Sequence, residues 1–501
     1  MSLSIEKAMA VQQKGDLQKA RKMYKKILKR HPENPDCLSL LANLDLIENN
    51  PKAAEQKLRR IIKQAPEEIR HKVLLAEILY QLGKFDELEN CCHKILRKDN
   101  TNAAAYNLLG LLAITKVEYE DAMEKFSMAM KLEMPNLPAM QNYALVLHRI
   151  GKNEFSEKYS RAILKLQPDN IGAKINLGMA LRCQGKLEEA KDIFHSIKDN
   201  PKARFNYGFI QLMQKNLKDG FENYQAWKLC KKPPESLNQP EWDGGTYPGK
   251  TLLVTAQQGL GDTILMSRFF PQLKPFFKNI IIQPGQPLIR LIESMDQEFL
   301  IAKSIQGQEY DFWCDVMDLP YKLGIENVDQ IPLDPWFTLK AAIPESNKLK
   351  VGINWAGNPS YLYDRIRSTS LNTFASLFEI PGVDWYSLHK GCREHEAKEF
   401  NLHTPLDNAK DFYDTAAVIN GLDMVISTET AVPNLAGALG VPTCVLTNID
   451  VDWRWDSWYE NIRVCQQKTQ GDWSEPVRLA RETLEAFLKL KTSGLPQYLT
   501  F

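Results

Sequence analysis

The sequence predicts an α-helical repeat superhelix over residues 1–234, followed by two α/β domains over residues 235–345 and 346–501. Three observations lead to this prediction. Small and large apolar residues recur in the first half at the helix-turn-helix period of about 34 residues. In the second half, β-branched apolar runs end at glycine turns and give way to helical spacing. Between the two halves lies a proline-containing segment that interrupts the helical pattern.

The repeats are a strong signal because several positions recur together. Small residues let the paired helices approach each other, large residues fill the seam between them, and a proline closes the second helix. About seven units can be aligned, of which the third and seventh match least well. The recurring residues are Gly15, Ala20, Tyr24, Ile27 and Pro32; Ala54, Leu58, Ile61 and Pro66; Leu75, Ala76, Gly83, Leu88 and Cys92; Tyr106, Leu109, Gly110, Ala122, Phe126 and Ala129; Tyr143, Ala144, Gly151, Ile163 and Pro168; Leu177, Gly178, Gly185, Ala190 and Phe194; Tyr207, Gly208, Gly220, Tyr224 and Trp227. This is the pattern of tetratricopeptide repeats.

The repeat array predicts a protein-binding surface. Arrays of this kind form a superhelix whose concave face binds extended peptides or partner domains. The alternative is a spacer or a dimerisation platform without a peptide ligand. The sequence shows no recurrent asparagine or arginine ladder on groove-facing positions, so both interpretations stay open.

The first α/β domain follows the break at residues 231–236. The apolar run 251–256 predicts a buried strand, the glycines of Gly259-Leu-Gly261 predict a tight turn, and the helical spacing after them predicts a helix. A second strand is expected at 279–282 and a short helix at 288–294. This alternation is typical of a parallel sheet.

The second α/β domain repeats the arrangement. Its predicted strands end in polar or glycine-containing turns, and a helix over 435–439 is expected to begin near a capping Thr428 or Thr430. Ligands bind beyond the carboxyl ends of strands in open α/β sheets, so two such domains facing each other would form a cleft. The predicted strands are 351–355, 383–388, 424–427 and 443–446.

Composition limits the classes of function. A formal net charge of +1 gives no electrostatic reason to expect nucleic acid or an anionic membrane surface as partner. The first residues lack the apolar core of a signal peptide, and no apolar run is long enough to span a bilayer. The nine cysteines form no CxxC pair, so we expect free thiols in a reducing cytoplasm.

Asp262 is unusual in a glycine loop that opens a helix. A carboxylate repels phosphate groups, so a loop that only binds phosphate would not favour it. An aspartate there could take a proton from a hydroxyl group. The alternative is an aspartate that caps the helix, which is a common role.

Seven short motifs, in fixed order over about residues 238–480, resemble one enzyme family. They are Gln258-Gly-Leu-Gly-Asp-Thr-Ile264, Asn354-Trp-Ala-Gly-Asn358, Asp364-Arg-Ile-Arg-Ser368, Ser387-Leu-His-Lys-Gly391, Asp411-Phe-Tyr-Asp-Thr-Ala416, the segment 426–440 and Asp452-Trp-Arg-Trp455. The set is similar to bacterial tetratricopeptide-repeat proteins that carry a C-terminal glycosyltransferase domain related to the ADP-heptose:lipopolysaccharide heptosyltransferases.

The resemblance implies a GT-B fold of two Rossmann-like domains, with the acceptor side first and the nucleotide-sugar side second. It also implies inverting, metal-independent sugar transfer without a cofactor other than the nucleotide-diphosphate sugar itself. Asp262 matches the aspartate that acts as base on the acceptor hydroxyl. The donor-binding candidates are Gly261, Asn358, Arg365, Arg367, Lys390, Glu429, Thr430, Asn434, Asp452 and Arg454. Arginine and lysine suit diphosphate oxygens well.

Several of these residues have a simpler interpretation. Arg365 and Arg367 could be solvated loop charges, and Arg454 could fix a C-terminal loop through a buried ion pair. His389 stands where the family usually has glutamine and is not expected to be catalytic. The family's Asp-Thr-x-x-x-His signature reads Glu429-Thr-Ala-Val-Pro-Asn434 here, which removes a titratable group. Heptose is therefore not the expected donor sugar.

Two functions remain open at the level of sequence. In the first, the protein is a cytoplasmic glycosyltransferase whose repeat array recruits a protein or glycan acceptor, or another protein partner. In the second, it is a scaffold with a catalytically silent transferase-like domain that mediates protein–protein interaction. Asp262 and the basic motif favour the enzyme, whereas Glu429 and Asn434 favour the scaffold.

Overall fold

The computed structural model describes residues 5–231, 234, 236–295, 298–455 and 457–493. Part of the predicted break, residues 232, 233 and 235, lies outside the described residues. The chain divides into two compact units. One comprises Met1–Leu147 and Lys158–Pro168, and the other comprises His148–Glu157 and Asp169–Phe501. The domain boundaries expected near 234 and 345 stay predictions.

Fifteen helices occupy the described residues up to 230, which confirms the predicted helical repeats. They are α1 Ile5–Gln13, α2 Leu17–Arg30, α3 Pro35–Ile47, α4 Pro51–Gln64, α5 Ile69–Gln81, α6 Phe85–Lys98, α7 Ala103–Thr115, α8 Tyr119–Leu132, α9 Leu137–Arg149, α10 Asn153–Leu166, α11 Ile171–Arg182, α12 Leu187–His195, α13 Pro201–Met213, α14 Leu217–Tyr224 and α15 Trp227–Cys230. Asparagines cap several of them, because the side-chain oxygen accepts from a backbone N–H that the first turn leaves unpaired.

The small repeat residues are required by the helix packing. In the first unit, a Cβ on Gly110 of α7 would lie 2.5 Å from a ring carbon of Phe126 on α8. In the second unit, a Cβ on Gly178 of α11 would lie 2.6 Å from the ring of Phe194 on α12. The aromatic side chain of each second helix therefore packs directly on the backbone of the first, as the sequence pattern predicts.

The second unit contains two parallel sheets, so the predicted fold class is confirmed. The first sheet has the strand order β3-β2-β1-β4, and the second has the order β6-β5-β7-β8-β9. The elements after the repeats are β1 Tyr247–Thr255, α16 Leu260–Met266, β2 Phe277–Gln283, α17 Ile289–Glu293, β3 Leu300–Ile301, β4 Phe312–Asp315, α18 Leu319–Lys322, β5 Leu349–Asn354, α19 Asp364–Arg367, α20 Ala375–Phe378, β6 Val383–Ser387, α21 His395–Glu399, α22 Phe412–Ile419, β7 Met424–Thr428, α23 Ala431–Ala438, β8 Thr443–Thr447, β9 Ile462–Gln466 and α24 Ser474–Ser493.

One hydrophobic core in the second unit joins the last repeat to the sheets. It includes Phe221 of α14, Leu252 of β1 and Leu435 of α23, all at most 1 % exposed. The ring of Phe221 packs edge-on against those of Trp453 and Trp458 at 5.8 and 6.2 Å. The helices after residue 169 and the α/β region therefore form one packed body.

Candidate functional site

The candidate site lies where strands of both sheets end, within the second unit. β1 leads into the glycine turn and α16, and β7 leads into α23. The two helices pack together, so that a Cβ on Gly261 would lie 3.0 Å from Asn434 Nδ2 and 3.4 Å from Ala431 Cα. Because only a glycine permits this approach, the beginning of α16 meets the first turn of α23.

Asp262 has both of the roles considered from sequence. Its Oδ2 accepts a hydrogen bond of 2.9 Å from the backbone N–H of Gly259, which caps the helix. Its Oδ1 makes an ion pair with Arg454 Nη1. The side chains of Asp262 and Arg454 are 22 % and 24 % exposed, so a ligand can reach the pair from solvent. To accept a proton, the carboxylate must first lose this arginine.

Arg454 is held by a second carboxylate. Asp452 accepts from Arg454 Nε at 2.7 Å and from Nη2 at 2.5 Å, which is a bidentate pair. Arg454 therefore does fix its own loop, as one of the sequence interpretations supposed. It also links that loop to Asp262, which stands 192 positions earlier in the chain. Asp262 belongs to α16, the helix that follows β1 of the first sheet.

Thr430 caps α23, because its Oγ1 accepts from the backbone N–H of Val432 at 3.2 Å. Asn354, at the end of β5, donates to Thr430 Oγ1 at 3.0 Å and to Ser427 Oγ at 3.3 Å. Asn434 lies one helical turn further on and is 7 % exposed. Its amide donates to Thr430 O and its oxygen accepts from the hydroxyl of Tyr459 at 3.0 Å, so Asn434 braces the helix.

His389 joins this network from the end of β6, which sequence analysis did not anticipate. Its Nδ1 lies 3.3 Å from Asn354 Oδ1 and 3.2 Å from the carbonyl of Ala356, and its ring packs on Trp355 at 4.7 Å. Burial lowers the pKa of His389, so the neutral imidazole is favoured. In the sequence, the only sign that His389 belongs to the site is its position directly before Lys390, in a motif at the end of a predicted strand.

Buried polar atoms without partners collect at this end of the second sheet. Among the described residues, His389 Nε2, Trp355 Nε1 and Thr428 Oγ1 have no hydrogen-bond partner in the structure. An unpaired buried polar group costs about 1–3 kcal/mol. They lie near the carboxyl ends of β5, β6 and β7, which is the edge of an open α/β sheet where ligands bind.

Two of the predicted basic residues, Arg365 and Arg367, lie on the short helix α19 after β5. Arg367 packs on Gly357, pairs with Asp364 at 3.3 Å and lies 4.3 Å over the ring of Tyr361. Arg365 is exposed on the same short helix. Asn358 is exposed and accepts from the N–H of Ser360, which closes the turn after β5.

Lys390 is exposed, and its ammonium group donates to the carbonyls of Leu406 and Asp407 at 2.7 and 3.3 Å. It therefore ties the strand end of β6 to the loop after α21. To bind a phosphate as predicted, this lysine would have to exchange backbone carbonyls for the ligand.

Glu429 is turned into protein rather than toward solvent. Its Oε1 accepts from Trp455 Nε1 at 2.8 Å and its Oε2 from Asn448 Nδ2 at 3.5 Å. Burial, reinforced by the charge of Asp450, raises the pKa of Glu429 to about 7. The carboxyl group is thus partly protonated near neutral pH, which reduces its repulsion of an anionic ligand.

Two groups outside the predicted set support the site. Asp315, at the end of β4, is fully buried and accepts from the backbone N–H of Gln257 at 2.9 Å, which holds the start of the glycine turn. Burial, with the charge of Asp318, raises the pKa of Asp315 to about 7. From the repeats, Arg182 pairs with Asp450 at 2.8 Å and so holds the loop that leads to Asp452.

Among the residues that the structure describes, no group of three or more His, Cys, Asp or Glu side chains lies together in a way that could hold a metal ion. All nine cysteines are free. None of the described helices is both long enough and apolar enough to cross a membrane.

Comparison with known proteins supports the repeat assignment. Residues 1–171 match the family described as the tetratricopeptide repeat protein 21 C-terminal ARM domain. Protein FlbA of Caulobacter vibrioides is 22 % identical over 96 % of this chain and 83 % of its own length. Tetratricopeptide repeat protein 21B of Homo sapiens is 28 % identical over 26 % of this chain and 10 % of its own.

Solved structures of repeat proteins are similar to part of this chain. A tetratricopeptide repeat protein from Parabacteroides merdae is 18 % identical with a TM-score of 0.40, and covers 46 % of this chain and 93 % of its own. The peptide-binding repeat protein YrrB is 20 % identical with a TM-score of 0.28, over 35 % of this chain and 92 % of its own. The family match over residues 1–171 and the observed helices indicate a tetratricopeptide-repeat N-terminal region, which is followed by an α/β region of two parallel sheets.

Proposed function

We propose that the α/β region is a glycosyltransferase that moves a sugar from a nucleotide-diphosphate sugar to a hydroxyl group of a protein or glycan acceptor. Two observations together carry the proposal. Unpartnered buried polar atoms lie at the carboxyl ends of β5, β6 and β7. Asp262 follows Gly261, which packs against Ala431 at the start of the helix after β7. Three of the motifs that resemble the heptosyltransferase family, those that contain Gly261, Asn354 and Thr430, meet at this contact.

In the proposed reaction, Asp262 accepts the proton of the acceptor hydroxyl. The hydroxyl oxygen forms a bond to the anomeric carbon, and the bond from that carbon to the diphosphate oxygen breaks with inversion. The nucleoside diphosphate leaves with the electron pair. The backbone N–H groups at the start of α23 and the guanidinium of Arg454 would stabilise its negative charge.

This mechanism requires Arg454 to exchange partners. Arg454 neutralises Asp262 in the structure, so binding of the donor would have to draw the guanidinium onto the diphosphate and free the carboxylate. The exchange suits an ordered reaction, because the base would become active only after the donor has bound.

The second candidate is a scaffold without catalysis. The internal engagement of Arg454, Arg367 and Lys390 favours it, since each of these predicted phosphate ligands already has an acceptor within the protein. In that case the repeats alone would provide the function, through a protein partner.

The first test is a thermal-shift screen of the full chain with UDP-, ADP-, GDP- and CMP-linked sugars, because a ligand that binds only the folded state raises Tm. A shift with one nucleotide class supports the transferase and identifies the donor. Arg365→Ala with Lys390→Ala should reduce that shift. The absence of any shift with all four classes would favour the scaffold.

A further inference from the structure

A cavity of about 950 Å³ lies in the second unit, along the edge strand of the second sheet. Three alternate residues of β9, Ile462, Val464 and Gln466, line it, so the cavity covers one face of this strand. The opposite face is already packed, because Cys465 belongs to the same core as Val477 of α24. The cavity is therefore separate from the cluster at the carboxyl ends of β5, β6 and β7.

The last repeats and the segment before β5 supply further walls of this cavity. The repeats contribute Leu187 of α12 and Met213 at the end of α13, and the segment between α18 and β5 contributes Val328 and Leu333. These four apolar side chains are partly exposed, and so is that of Val464. Partly exposed apolar side chains that are grouped in a concave place mark a binding surface.

Two stacked aromatic side chains also line the cavity. The rings of Trp455 and Tyr459 lie 6.0 Å apart, and these residues are 6 % and 7 % exposed. Their polar atoms are already bound, because Trp455 Nε1 donates to Glu429 and the hydroxyl of Tyr459 donates to Asn434. The two side chains therefore offer a ligand in the cavity apolar ring surface rather than hydrogen bonds.

The cavity lining carries two carboxylates that no cation neutralises. Asp329 and Glu460 are exposed, and neither has an ion pair within the described part of the chain. Among the described residues that line the cavity, Arg182 is the one cation, and Asp450 neutralises it. A ligand that combines apolar surface with positive charge therefore complements this cavity better than a neutral or an acidic ligand.

We propose that this cavity binds a segment of a partner protein in which apolar side chains are flanked by lysine or arginine. The volume is at the upper end of the range for small-molecule pockets, about 300–1,000 Å³, and the walls are open to solvent. Both properties suit several side chains of a chain segment better than one small metabolite. The last repeats form part of the wall, and repeats of this class bind peptides.

A segment bound in the cavity would be held next to the candidate site. It would contact Trp455, which directly follows Arg454, and Arg454 pairs with Asp262. Binding in the cavity does not require sugar transfer, so this proposal stands apart from the proposed transferase.

The test is fluorescence anisotropy with the full chain and three labelled peptides of equal length. In the first, leucines and lysines are spaced so that a helix has one apolar and one basic face. The second has glutamate in place of each lysine, and the third has serine in place of each leucine. We expect the lysine–leucine peptide to bind at least tenfold more tightly than the other two, because it alone combines both properties.

A charge variant tests the two carboxylates. Asp329→Asn with Glu460→Gln should weaken binding of the lysine–leucine peptide at least fivefold. The matched control is Asp199→Asn with Glu379→Gln, which removes the same charge from exposed positions of the same unit outside the cavity lining and should change the affinity less than twofold.

A second variant tests the apolar walls. Met213→Gln with Val464→Thr keeps the size of both side chains and should also weaken binding of the lysine–leucine peptide at least fivefold. Thermal unfolding shows whether this variant is folded. The charge variant changes only exposed side chains, so it decides the question if the apolar variant unfolds.

Each other outcome overturns the proposal. Absence of binding of the lysine–leucine peptide, or an equal loss in the control variant, would exclude a specific site in this cavity. Equal binding of the glutamate peptide would mean that the surface does not recognise charge, and equal binding of the serine peptide would mean that the apolar walls are not used. Displacement of the labelled peptide by monomeric dodecyltrimethylammonium at a lower concentration than the unlabelled peptide requires would make the cavity a site for a small cationic amphiphile.

Discussion

The Arg182–Asp450 ion pair permits a quantitative test of how the repeats hold the candidate site. Arg182 donates to Asp450 at 2.8 and 3.2 Å and to Asn206 at 3.1 Å, and it lies 4.4 Å over the ring of Phe209. The two charged side chains are only 12 % and 14 % exposed. We expect Arg182→Met to leave Asp450 unpaired in a poorly solvated place.

Removing one partner of a buried pair costs about 3–5 kcal/mol. Because a little solvent reaches this pair, we expect about 3 kcal/mol, which corresponds to a fall in Tm of roughly 4 °C for a cooperative unit of this size. The double variant Arg182→Met with Asp450→Asn should recover most of the loss, since it removes both charges.

The assay is thermal unfolding of the full chain, followed by intrinsic tryptophan fluorescence. Arg204→Met is the matched control, because Arg204 is 39 % exposed and lies 3.9 Å from its carboxylate partner, and it should shift Tm by less than about 1 °C. If Arg182→Met shifts Tm no more than this control, or if the double variant is as unstable as the sum of the single ones, the reasoning is refuted.

Three further predictions follow from other parts of the second unit. Gly178→Ala should lower Tm, because overpacking against Phe194 costs about 1–3 kcal/mol and exceeds the gain of about 1 kcal/mol in helix propensity; adding Phe194→Leu should restore it. Glu429→Gln should raise Tm at pH 8 and not at pH 5. The folded protein holds the pKa of Glu429 at about 7, above its value in the unfolded chain, so the carboxyl group destabilises the fold as it loses its proton with rising pH. An equal effect of the variant at both pH values would contradict this. Asp262→Asn should abolish sugar transfer while nucleotide binding and Tm are nearly kept, as the pair with Arg454 is partly exposed; full activity would remove Asp262 as the base.

Local features of the fold were predictable from the sequence, because they depend on neighbouring residues. The strand, glycine turn and helix around Asp262 follow from apolar spacing over a few positions. The helix cap is predicted at Thr428 or Thr430, and the structure has it at Thr430. The strand β9 and the long helix α24 follow the fourth predicted strand of the second domain and are not among the predicted elements.

The partners of the site residues were beyond sequence reasoning. Arg454 meets Asp262 although they follow strands of different sheets, and Arg182 meets Asp450 over a separation of 268 residues. No periodicity connects such positions, because their contact depends on how the two sheets and the last repeats pack. His389 departs from a family motif and is not expected from sequence to be part of the site, yet its burial against Trp355 brings it into the Asn354 network.

The shared core of the last repeats and the sheets determines where the chain can be cut. A chain that begins at residue 238 would lose Phe221 and expose Trp453 and Trp458, and it would also lose the lysine that pairs with the fully buried Asp318 at 3.0 Å. Such a fragment should aggregate, whereas one that begins near residue 169 keeps these contacts. We therefore expect removal of repeats early in the array to leave this core intact, whereas removal of its last helices should unfold the α/β region.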